Sequence, residues 1–449
     1  MKISNELVRY TDLCRFDDLP TQVVHEAKRS LLNYLSVCIA AYNDPAIIKA
    51  YQLFRSFSGS PQATVFGFSE KLDVLQACSL NAMSANVFDF DDTHLPTIIH
   101  PAAPVVSTLL ALSEKQQYSG KDFLLATILG MEFECRIGQA ISPFHYSRGW
   151  HITSTCGVIG AAIGSGKLLQ LSQQQLLWAI GNAVTQACGL VENLGTMSKS
   201  MSVGNAAKNG LLSALLAQKD FDGPMEPLEG ERGFLKVFGQ DAQGHLIIDQ
   251  LGTHWEILNN TYKPFPCGVV LNPVLEACLR VYQEQLKHPS FLDSIEKIQI
   301  VGNPLLQQRT DRPNIQTGRQ SQVSGQHAVA VALHFGRAGI KEFSDEMVQD
   351  SRIRSFYSKV EFKQDDTIPV EGVKIHFFSK EYPLTIEIDA AKGSLTKPLT
   401  DKDIEDKLIN QLALHQLSTP HDQLFDFVWN LEATSDISQL LQWMPINRA

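Results

Sequence analysis

The segment CGVIGAAIGSGKLLQL, residues Cys156–Leu171, decides the fold. Glycine and alanine recur along it, and side chains this small let neighbouring helices approach closely. We therefore expect it to form a helix at the centre of a bundle. The segment NAAKNGLLSALLAQ, which begins at Asn205, has the same small-residue composition and predicts a second helix of this kind.

Further helices are predicted on both sides of this segment, across the first 220 residues. The apolar residues of Val23–Cys38 recur at a spacing close to the helical period. Ser119 with Asp122, and Ser172 with Gln175, have the spacing of a capping box at a helix start. Successive helices without intervening strands indicate an all-α domain.

The composition changes at YKPFPCGVVLNP, residues 262–273. Three prolines lie within these twelve residues, and a helix interior does not accept them, so we place a domain boundary here. Strand-like alternation follows, and the helical period returns from Asp401. The predicted strands and the helix among them are Ile295–Val301, Gln326–Phe335, Val373–Phe378 and Tyr382–Ile388.

These patterns predict a mainly α protein. A large all-α helical domain is formed by both chain ends, residues 1–265 and 396–449, and an α+β lid domain, residues 266–395, is inserted between them. We expect a cleft between the helical domain and the lid, because ligand pockets commonly form between domains.

Charge and cysteine usage limit the possible functions. The net charge of −10 disfavours a nucleic-acid surface, so a bound anion must be held by a local cluster of basic groups. The eight cysteines are scattered without a C-x-x-C pair, which is typical of reduced thiols and of a cytoplasmic protein. We expect neither a signal peptide nor a membrane span, since no long apolar run is present.

The densest polar cluster is NVFDFDDTH, residues 86–94, followed by His100 in IHP. Three interpretations are open. The cluster could bind a metal through Asp89, Asp91, His94 and His100, as in a metal-dependent hydrolase. One aspartate could instead orient a histidine for acid–base catalysis, or the cluster could be a loop that caps a helix. The metal interpretation is weakened because the chain has no H-E-x-x-H motif.

A second candidate is RGWH, in which His151 precedes the small-residue helix and Arg148 lies close by. The positive end of the helix dipole would lower the pKa of such a histidine and favour a neutral imidazole that can act as a base. The backbone amides at the same helix end could also hold a carboxylate. The alternative is a purely structural histidine.

Three further positions could contribute basic or acid–base groups. Lys208 lies among small residues in GNAAKNG, although most helical lysines are solvated surface residues, and Lys199 has the same two interpretations with less support. Lys263 lies at the predicted domain boundary. His327 opens the helix of the lid and could reach the cleft, or it could be an ordinary core histidine.

Two sequences that resemble cofactor motifs do not fit them. GSGKLL, residues 164–169, has Ala161 where a phosphate-binding loop needs its first glycine and Leu168 where it needs serine or threonine. The chain also has no G-x-G-x-x-G after a strand and no G-x-S-x-G elbow. Rossmann cofactors and α/β-hydrolase chemistry therefore lack support.

The segments DFDDT with the following HP, GWH, GNAAKNG and YKPFPCG, in this order, resemble the MmgE/PrpD family. That family includes 2-methylcitrate dehydratase and cis-aconitate decarboxylase. The resemblance implies an active site between the helical domain and the lid, with no metal and no organic cofactor, and a homodimer. It matches the family's motif residues to Asp89, Thr93, His100, His151, Lys208 and Lys263.

Two positions depart from the decarboxylase branch of the family. That branch has a tyrosine at the start of the lid helix, where this chain has His327, and a histidine after F-P-A, where this chain has Gly268. The resemblance therefore favours a dehydratase or an epimerase over a decarboxylase of cis-aconitate.

The implied reaction removes a proton alpha to a carboxylate of a small di- or tricarboxylic acid such as 2-methylcitrate. The enzyme must stabilise an enolate-like intermediate, which lysine ammonium groups can do. We expect His151 to be the base, His100 or His327 the acid, and Asp89 the residue that positions a histidine. The expected carboxylate-binding residues are Thr93, Arg148, Lys208 and Lys263.

The leading hypothesis is thus a cofactor-free lyase of the dehydratase type. An epimerase of an amino- or imino-dicarboxylate and a decarboxylase of a cis-aconitate-like acid share the same intermediate and stay open. A metal-dependent hydrolase and a non-catalytic binding protein are the weaker alternatives.

Overall fold

The computed structural model describes residues 2–285, 290–380 and 382–444. Helices make up 58% and strands 8% of the structure, so the prediction of a mainly α protein is confirmed. The last five residues of the predicted C-terminal segment, 396–449, lie outside the described residues. Below, residues 266–395 are called the lid segment.

Eleven α-helices precede the lid segment in the described residues. They are α1 (Ile3–Leu13), α2 (Thr21–Ala40), α3 (Pro45–Arg55), α4 (Val74–Asn86), α5 (Ala102–Lys115), α6 (Gly120–Ile141), α7 (Phe144–Ser147), α8 (Ile152–Leu168), α9 (Gln173–Val184), α10 (Ser198–Ala217) and α11 (Phe234–Phe238). Short 3₁₀ helices cover Phe16–Asp18, Val191–Asn193, Gly244–Ile247 and Glu256–Asn259.

The lid segment and the C-terminal end contain the remaining elements. The α-helices are α12 (Asn272–Gln285), α13 (Phe291–Ser294), α14 (Pro304–Thr310), α15 (Gly318–Ser321), α16 (Gly325–Phe335), α17 (Asp345–Gln349), α18 (Ser351–Tyr357), α19 (Asp401–Leu414) and α20 (His421–Trp429). Short 3₁₀ helices cover Val269–Leu271, Ile340–Phe343, Leu431–Ala433 and Ile437–Trp443.

Helix α8, which contains most of the segment Cys156–Leu171, lies at the centre of the bundle and packs against α5, α6, α9 and α10. Its neighbours approach as closely as the small residues allow. A Cβ atom added at Gly210 of α10 would lie 2.7 Å from the carbonyl oxygen of Val158, and one added at Gly130 of α6 would lie 2.9 Å from that of Gly160. The expected central helix is confirmed.

The predicted N-caps are present at both serines. The Ser119 hydroxyl accepts a hydrogen bond from the Asp122 amide at the start of α6. At α9 the capping box is complete, because Ser172 accepts from the Gln175 amide and the Gln175 side chain accepts from the Ser172 amide. These local signals were readable from the sequence because a cap depends only on residues three positions apart.

Two separate hydrophobic cores are present among the described residues. The larger core unites apolar residues between Ile3 and Tyr262 with others between Leu399 and Met444, so both chain ends contribute to it. The smaller core lies within the lid segment, between Cys267 and Ala391.

A four-stranded sheet lies in the lid segment, with strands β3 (Ile295–Gly302), β4 (Val360–Gln364), β5 (Val373–Ser379) and β6 (Leu384–Ile388). Their order across the sheet is β4-β3-β5-β6. Strand β3 pairs parallel with β4 and antiparallel with β5, which pairs antiparallel with β6. The sequence analysis did not predict the short edge strand β4.

A two-stranded sheet joins two distant parts of the chain. Strand β1 (Asp92–His94) pairs antiparallel with β2 (Asn260–Tyr262), with Thr93 opposite Thr261. The sequence analysis also left open that residues 86–94 form a helix-capping loop. This interpretation is correct only for Asp92, whose carboxylate accepts a hydrogen bond from the Ala102 amide at the start of α5. The pairing brings the residues before β1 next to those after β2.

Helix α19 packs next to these two strands and contacts the backbone beside them through Lys407. Lys407 is 6% exposed, and its ammonium donates to the carbonyl oxygens of Phe90 and Lys263, at 2.7 and 3.0 Å. Burial lowers the pKa of Lys407 well below its ordinary value. Lys407 of α19 thus connects the loop that precedes β1 to the loop that follows β2.

Within the described ranges, no helix combines the length and the apolar character that crossing a bilayer requires. All eight cysteines are free thiols, and Cys188 is the exposed one among them.

Glu134 of α6 is fully buried, and neither of its carboxyl oxygens has a hydrogen-bond partner in the part of the chain that the structure describes. Burial raises the pKa of Glu134 well above the ordinary value of a glutamate, so the folded protein keeps a proton that the unfolded chain releases at neutral pH. Folding then takes up a proton, and wild-type stability falls as the pH rises above that value.

We expect Glu134→Gln to remove this pH-dependent loss of stability. The difference in melting temperature, variant minus wild type, should become about 2 °C larger from pH 4.5 to pH 7.5, as measured by calorimetry. The exposed Glu231→Gln serves as the control. A melting-temperature difference that does not depend on pH would contradict a buried, protonated Glu134.

Candidate active site

A cavity of about 490 Å³ lies between the helical bundle and the lid segment. Five of the eight site residues predicted from the sequence line it: Asp89, Thr93, His100, His151 and Lys263. Other polar residues of its wall are Tyr146, Ser147, Lys199, Gln308, Arg309, Thr310 and Arg312. Imidazoles and ammonium groups from distant parts of the sequence therefore share one cavity.

Asp89 is the centre of this arrangement. Its Oδ1 atom lies 2.6 Å from Nζ of Lys199 and 3.1 Å from Nζ of Lys263. Burial by itself would raise the pKa of Asp89, but the two ammonium groups hold it well below its usual range. The carboxylate is therefore ionised, and it keeps two cations at the cavity wall.

The backbone at Asp89 is strained in a way that suits this role. Its φ angle of 53° lies in the left-handed region, which aspartate adopts more readily than most residues. Lys263 donates to the Asp89 carbonyl oxygen at 3.0 Å as well as to its carboxylate, so one ammonium group binds both the backbone and the side chain of Asp89. Strained residues of this kind are concentrated at functional sites.

Lys263 follows β2 directly and is 1% exposed. Its ammonium also lies 3.7 Å from Oδ1 of Asp91, whose other oxygen accepts a hydrogen bond from Asn86. Burial lowers the pKa of Lys263, but the carboxylates of Asp89 and Asp91 raise it more, so the amine stays protonated.

His151 is the N-cap residue of α8, and hydroxyl groups determine which of its ring nitrogens carries the proton. Ser202 donates its only hydroxyl proton to the carbonyl oxygen of Lys199, at 2.8 Å, and Ser154 donates its own to Ser202, at 2.7 Å. The Ser154 hydroxyl must then accept from Nδ1 of His151, 2.7 Å away. The proton is thus on Nδ1, and Nε2 carries the lone pair.

The His151 ring is neutral as well as oriented. Burial, followed by the charge of Lys199, lowers the pKa of His151 to about 3. The direction agrees with the sequence prediction, although burial is its main cause. No described residue forms a hydrogen bond with Nε2, so this nitrogen is available as a proton acceptor.

His100 has a similar protonation state. Its Nδ1 donates to the carbonyl oxygen of Asp92 at 2.6 Å, which leaves the lone pair on Nε2, 3.8 Å from Oδ1 of Asp89. Burial lowers the pKa of His100, and the ammonium of Lys263 adds to this effect. The cavity therefore contains two neutral imidazoles, each with an unprotonated Nε2.

Lys208 lies outside the cavity, and Lys199 occupies the place expected for it. The two lysines are nine residues apart on α10, which is two and a half turns, so their side chains point to opposite faces of the helix. Lys208 is half-buried on the side of Cys78 of α4.

His327 and Arg148 also lie away from the cavity. Both ring nitrogens of His327 are occupied, Nδ1 by the Tyr357 hydroxyl at 2.7 Å and Nε2 by the Glu342 carbonyl oxygen at 2.7 Å. It is a core histidine of the lid segment, and burial lowers its pKa to about 4. Arg148 is exposed and stacks over Phe144, with its guanidinium carbon 5.6 Å from the ring centroid.

Three charged or aromatic residues of the cavity wall were not selected in the sequence analysis. Tyr146 lies in the short helix α7, just before His151, while Arg309 and Arg312 come from the lid segment. Tyr146 is close enough to RGWH to have been selected with it. The two arginines belong to no recognisable motif, and only the tertiary structure brings them to the cavity.

Asp89, Asp91 and His100 could provide ligand atoms for a metal ion, since these atoms lie within 4.8 Å of one another. His94, the fourth residue of the metal hypothesis, is not part of this group, because its nitrogens bind Thr97 and Glu256. The ammonium groups of Lys199 and Lys263 already balance the charge of Asp89. The donor set therefore fits an ammonium-bound carboxylate better than a metal centre.

The fold and the cavity define a mainly helical protein with a cavity lined by cationic side chains and imidazoles. Residues 5–246 match the MmgE/PrpD N-terminal domain and residues 265–432 match the MmgE/PrpD C-terminal domain. The chain belongs to the MmgE/PrpD family, as its motifs indicated.

Curated relatives match along almost the whole chain. Cis-aconitate decarboxylase of Aspergillus terreus is 28% identical over 480 residues, which cover 98% of this chain and 95% of the fungal protein. Cis-aconitate decarboxylase of Homo sapiens is 26% identical over 438 residues, covering 94% of this chain and 90% of the human protein.

The two lysines of α10 provide a matched test of the site. We expect Lys199→Met to weaken binding of tricarballylate, a saturated tricarboxylate that cannot lose water, by about 10- to 100-fold, because a charge-assisted hydrogen bond is lost. Lys208→Met, on the opposite face, should change the affinity by less than about twofold. Titration calorimetry measures both, and the reverse ranking would show that the cavity is not the anion site.

Proposed function

We propose that this chain is a lyase of the dehydratase type that acts on a small di- or tricarboxylic acid, such as 2-methylcitrate, without a metal or an organic cofactor. The observation that carries the proposal is the composition of the cavity wall. Four of its described side chains are cationic, one is a carboxylate, and two are neutral imidazoles with an unprotonated Nε2. In a protein of net charge −10, this is a local site for a polyanion.

The first step is removal of a proton from the carbon next to a carboxylate. His151 Nε2 accepts the proton, and the electron pair of the broken C–H bond moves onto the carboxylate as an enolate. Lys199 and Lys263 stabilise the charge that develops, and they are already fixed in place by Asp89. Asp89 thus positions ammonium groups, instead of a histidine as the sequence suggested.

The second step expels a hydroxyl group from the neighbouring carbon. The enolate pair forms the new C=C bond, and the leaving hydroxide takes one proton to depart as water. The imidazolium formed at His151 can return that proton, so the step balances without a further reactant. His100, neutral in the resting enzyme, is a second acceptor and becomes an acid only after it has gained a proton.

The protonation state of the two imidazoles suits proton removal as the first step. Decarboxylation would begin instead with loss of CO₂, and an acid would then protonate the resulting carbanion. In the resting site both imidazoles are neutral, which suits proton removal. Of the two sequence departures, only Gly268 lies in the cavity, whereas His327 does not. The decarboxylase relatives support action on a carboxylic acid, so cis-aconitate belongs among the acids to be tested as substrates.

Epimerisation is the second candidate, because two imidazoles share the cavity. One could remove a proton from a carbon and the other could return it on the opposite face. Incubation of di- and tricarboxylates in D₂O, followed by NMR, distinguishes the outcomes. A dehydratase yields an alkene, a decarboxylase releases CO₂, and an epimerase returns inverted, deuterated starting acid.

We expect His151→Gln to lower turnover of the accepted acid by about 10²- to 10⁴-fold, the usual contribution of a general base. Circular dichroism should show an unchanged fold. His376→Gln, on strand β5 away from the cavity, is the control. Near-normal turnover or deuterium exchange in the His151 variant would remove the proposed base.

The hydroxyl chain generates a separate prediction. Ser202→Ala frees the Ser154 proton, which can then be donated to Nδ1 of His151 and place the imidazole proton on Nε2. We expect kcat to fall by about tenfold with little change in KM, because the base is misprotonated but the anion site is intact. Ser202→Thr keeps the hydroxyl and should restore kcat. Equal activity of the Ala and Thr variants would contradict control of the tautomer by Ser202.

A further inference from the structure

The lid segment brings two arginines to a cavity whose other cations lie on the helical bundle. Arg309 is in α14, and Arg312 follows two residues after the helix ends. Lys199 and Lys263 lie on the opposite side of the domain boundary in the sequence. The cavity is therefore bordered by two cationic pairs from different parts of the structure.

The two arginines differ from the lysines in having no anionic partner. In the described part of the chain, neither guanidinium forms a hydrogen bond or an ion pair with a protein group. Arg319, elsewhere in the lid segment, pairs with Asp44 at 2.5 Å. Arg309 is half-buried and Arg312 is exposed at the cavity. Guanidinium groups without a protein partner can bind an anion.

Tyr146 connects the two cationic pairs. The Arg309 guanidinium carbon lies 4.9 Å from the centroid of its ring. Burial raises the pKa of Tyr146, with Arg309 acting in the opposite direction and Asp89 in the same one, so the phenol stays protonated and can donate. Tyr146 is thus within electrostatic reach of Asp89 and Lys263 on one side and of the two arginines on the other.

We propose that Arg309 and Arg312, with the Tyr146 hydroxyl, bind a second carboxylate of the substrate, while Lys199 and Lys263 bind the carboxylate next to the reacting carbon. This inference rests on the proposed function and deepens it, because it names the residues that would select a second carboxylate away from the reacting carbon. A volume of about 490 Å³ is sufficient for such an acid.

The arrangement also links binding of the acid to the position of the lid segment relative to the helical bundle. A guanidinium presents a planar pair of donors that matches a carboxylate, whereas an ammonium acts as a point charge. An acid held at both ends would bridge the helical bundle and the lid segment. A monocarboxylate would reach one pair of cations and leave the other unbridged.

The test compares succinate with its monoamide, succinamate, in wild type and in Arg309→Gln. We expect the variant to weaken succinate and tricarballylate by about 10- to 100-fold, and to change succinamate by less than about threefold, because the amide lacks the second charge. Competitive titration against tricarballylate measures the weaker ligands. Arg354→Gln, an exposed arginine of α18, is the control and should alter no affinity.

Equal weakening of succinate and succinamate would overturn the inference, since Arg309 would then only hold the lid segment against Tyr146. Unchanged affinity for tricarballylate in Arg309→Gln combined with Arg312→Gln would overturn it as well. Both results are obtained from binding alone. Failure of the proposed function appears instead as full turnover or deuterium exchange in His151→Gln, so the two failures are distinguishable.

Discussion

The structure of the site depends on the burial of one carboxylate between two ammonium groups. Asp89 lies in the loop after α4, Lys199 in the first turn of α10, and Lys263 directly after β2. A buried charge is tolerated only with close partners, so each of the three residues requires the other two. The ion cluster therefore fixes three separate elements relative to one another, and the imidazoles of His100 and His151 take their positions around it.

Much of the helical body could be predicted because its signals are local. The caps at Ser119 and Ser172 and the small-residue helix α8 all follow from residues a few positions apart. The motif residues Asp89, His100, His151 and Lys263 were found for a related reason, since each lies in a short segment of unusual composition. The strand pairing of β1 with β2 was not predictable, because its partners are separated by more than 160 residues.

The error at α10 has a specific physical cause. The helix begins at Ser198, but its N-cap residue, Met197, provides no side-chain cap, so the sequence contains no start signal there. The periodic pattern becomes visible only near Asn205. The small residues of GNAAKNG favoured Lys208, and Lys199, which precedes this pattern, received less support. Arg309 and Arg312 escaped detection because a short lid helix reaches the cavity only through tertiary packing.

The buried Lys407 has a consequence for folding of the chain during its synthesis. Its ammonium joins the loop at Phe90 to the loop at Lys263, and it belongs to a helix near the end of the chain. During synthesis these two contacts can form only after residue 407 has left the ribosome. Until then a nascent chain can contain Asp89, His151 and Lys263 and still lack the contacts that hold the two loops of the cavity together.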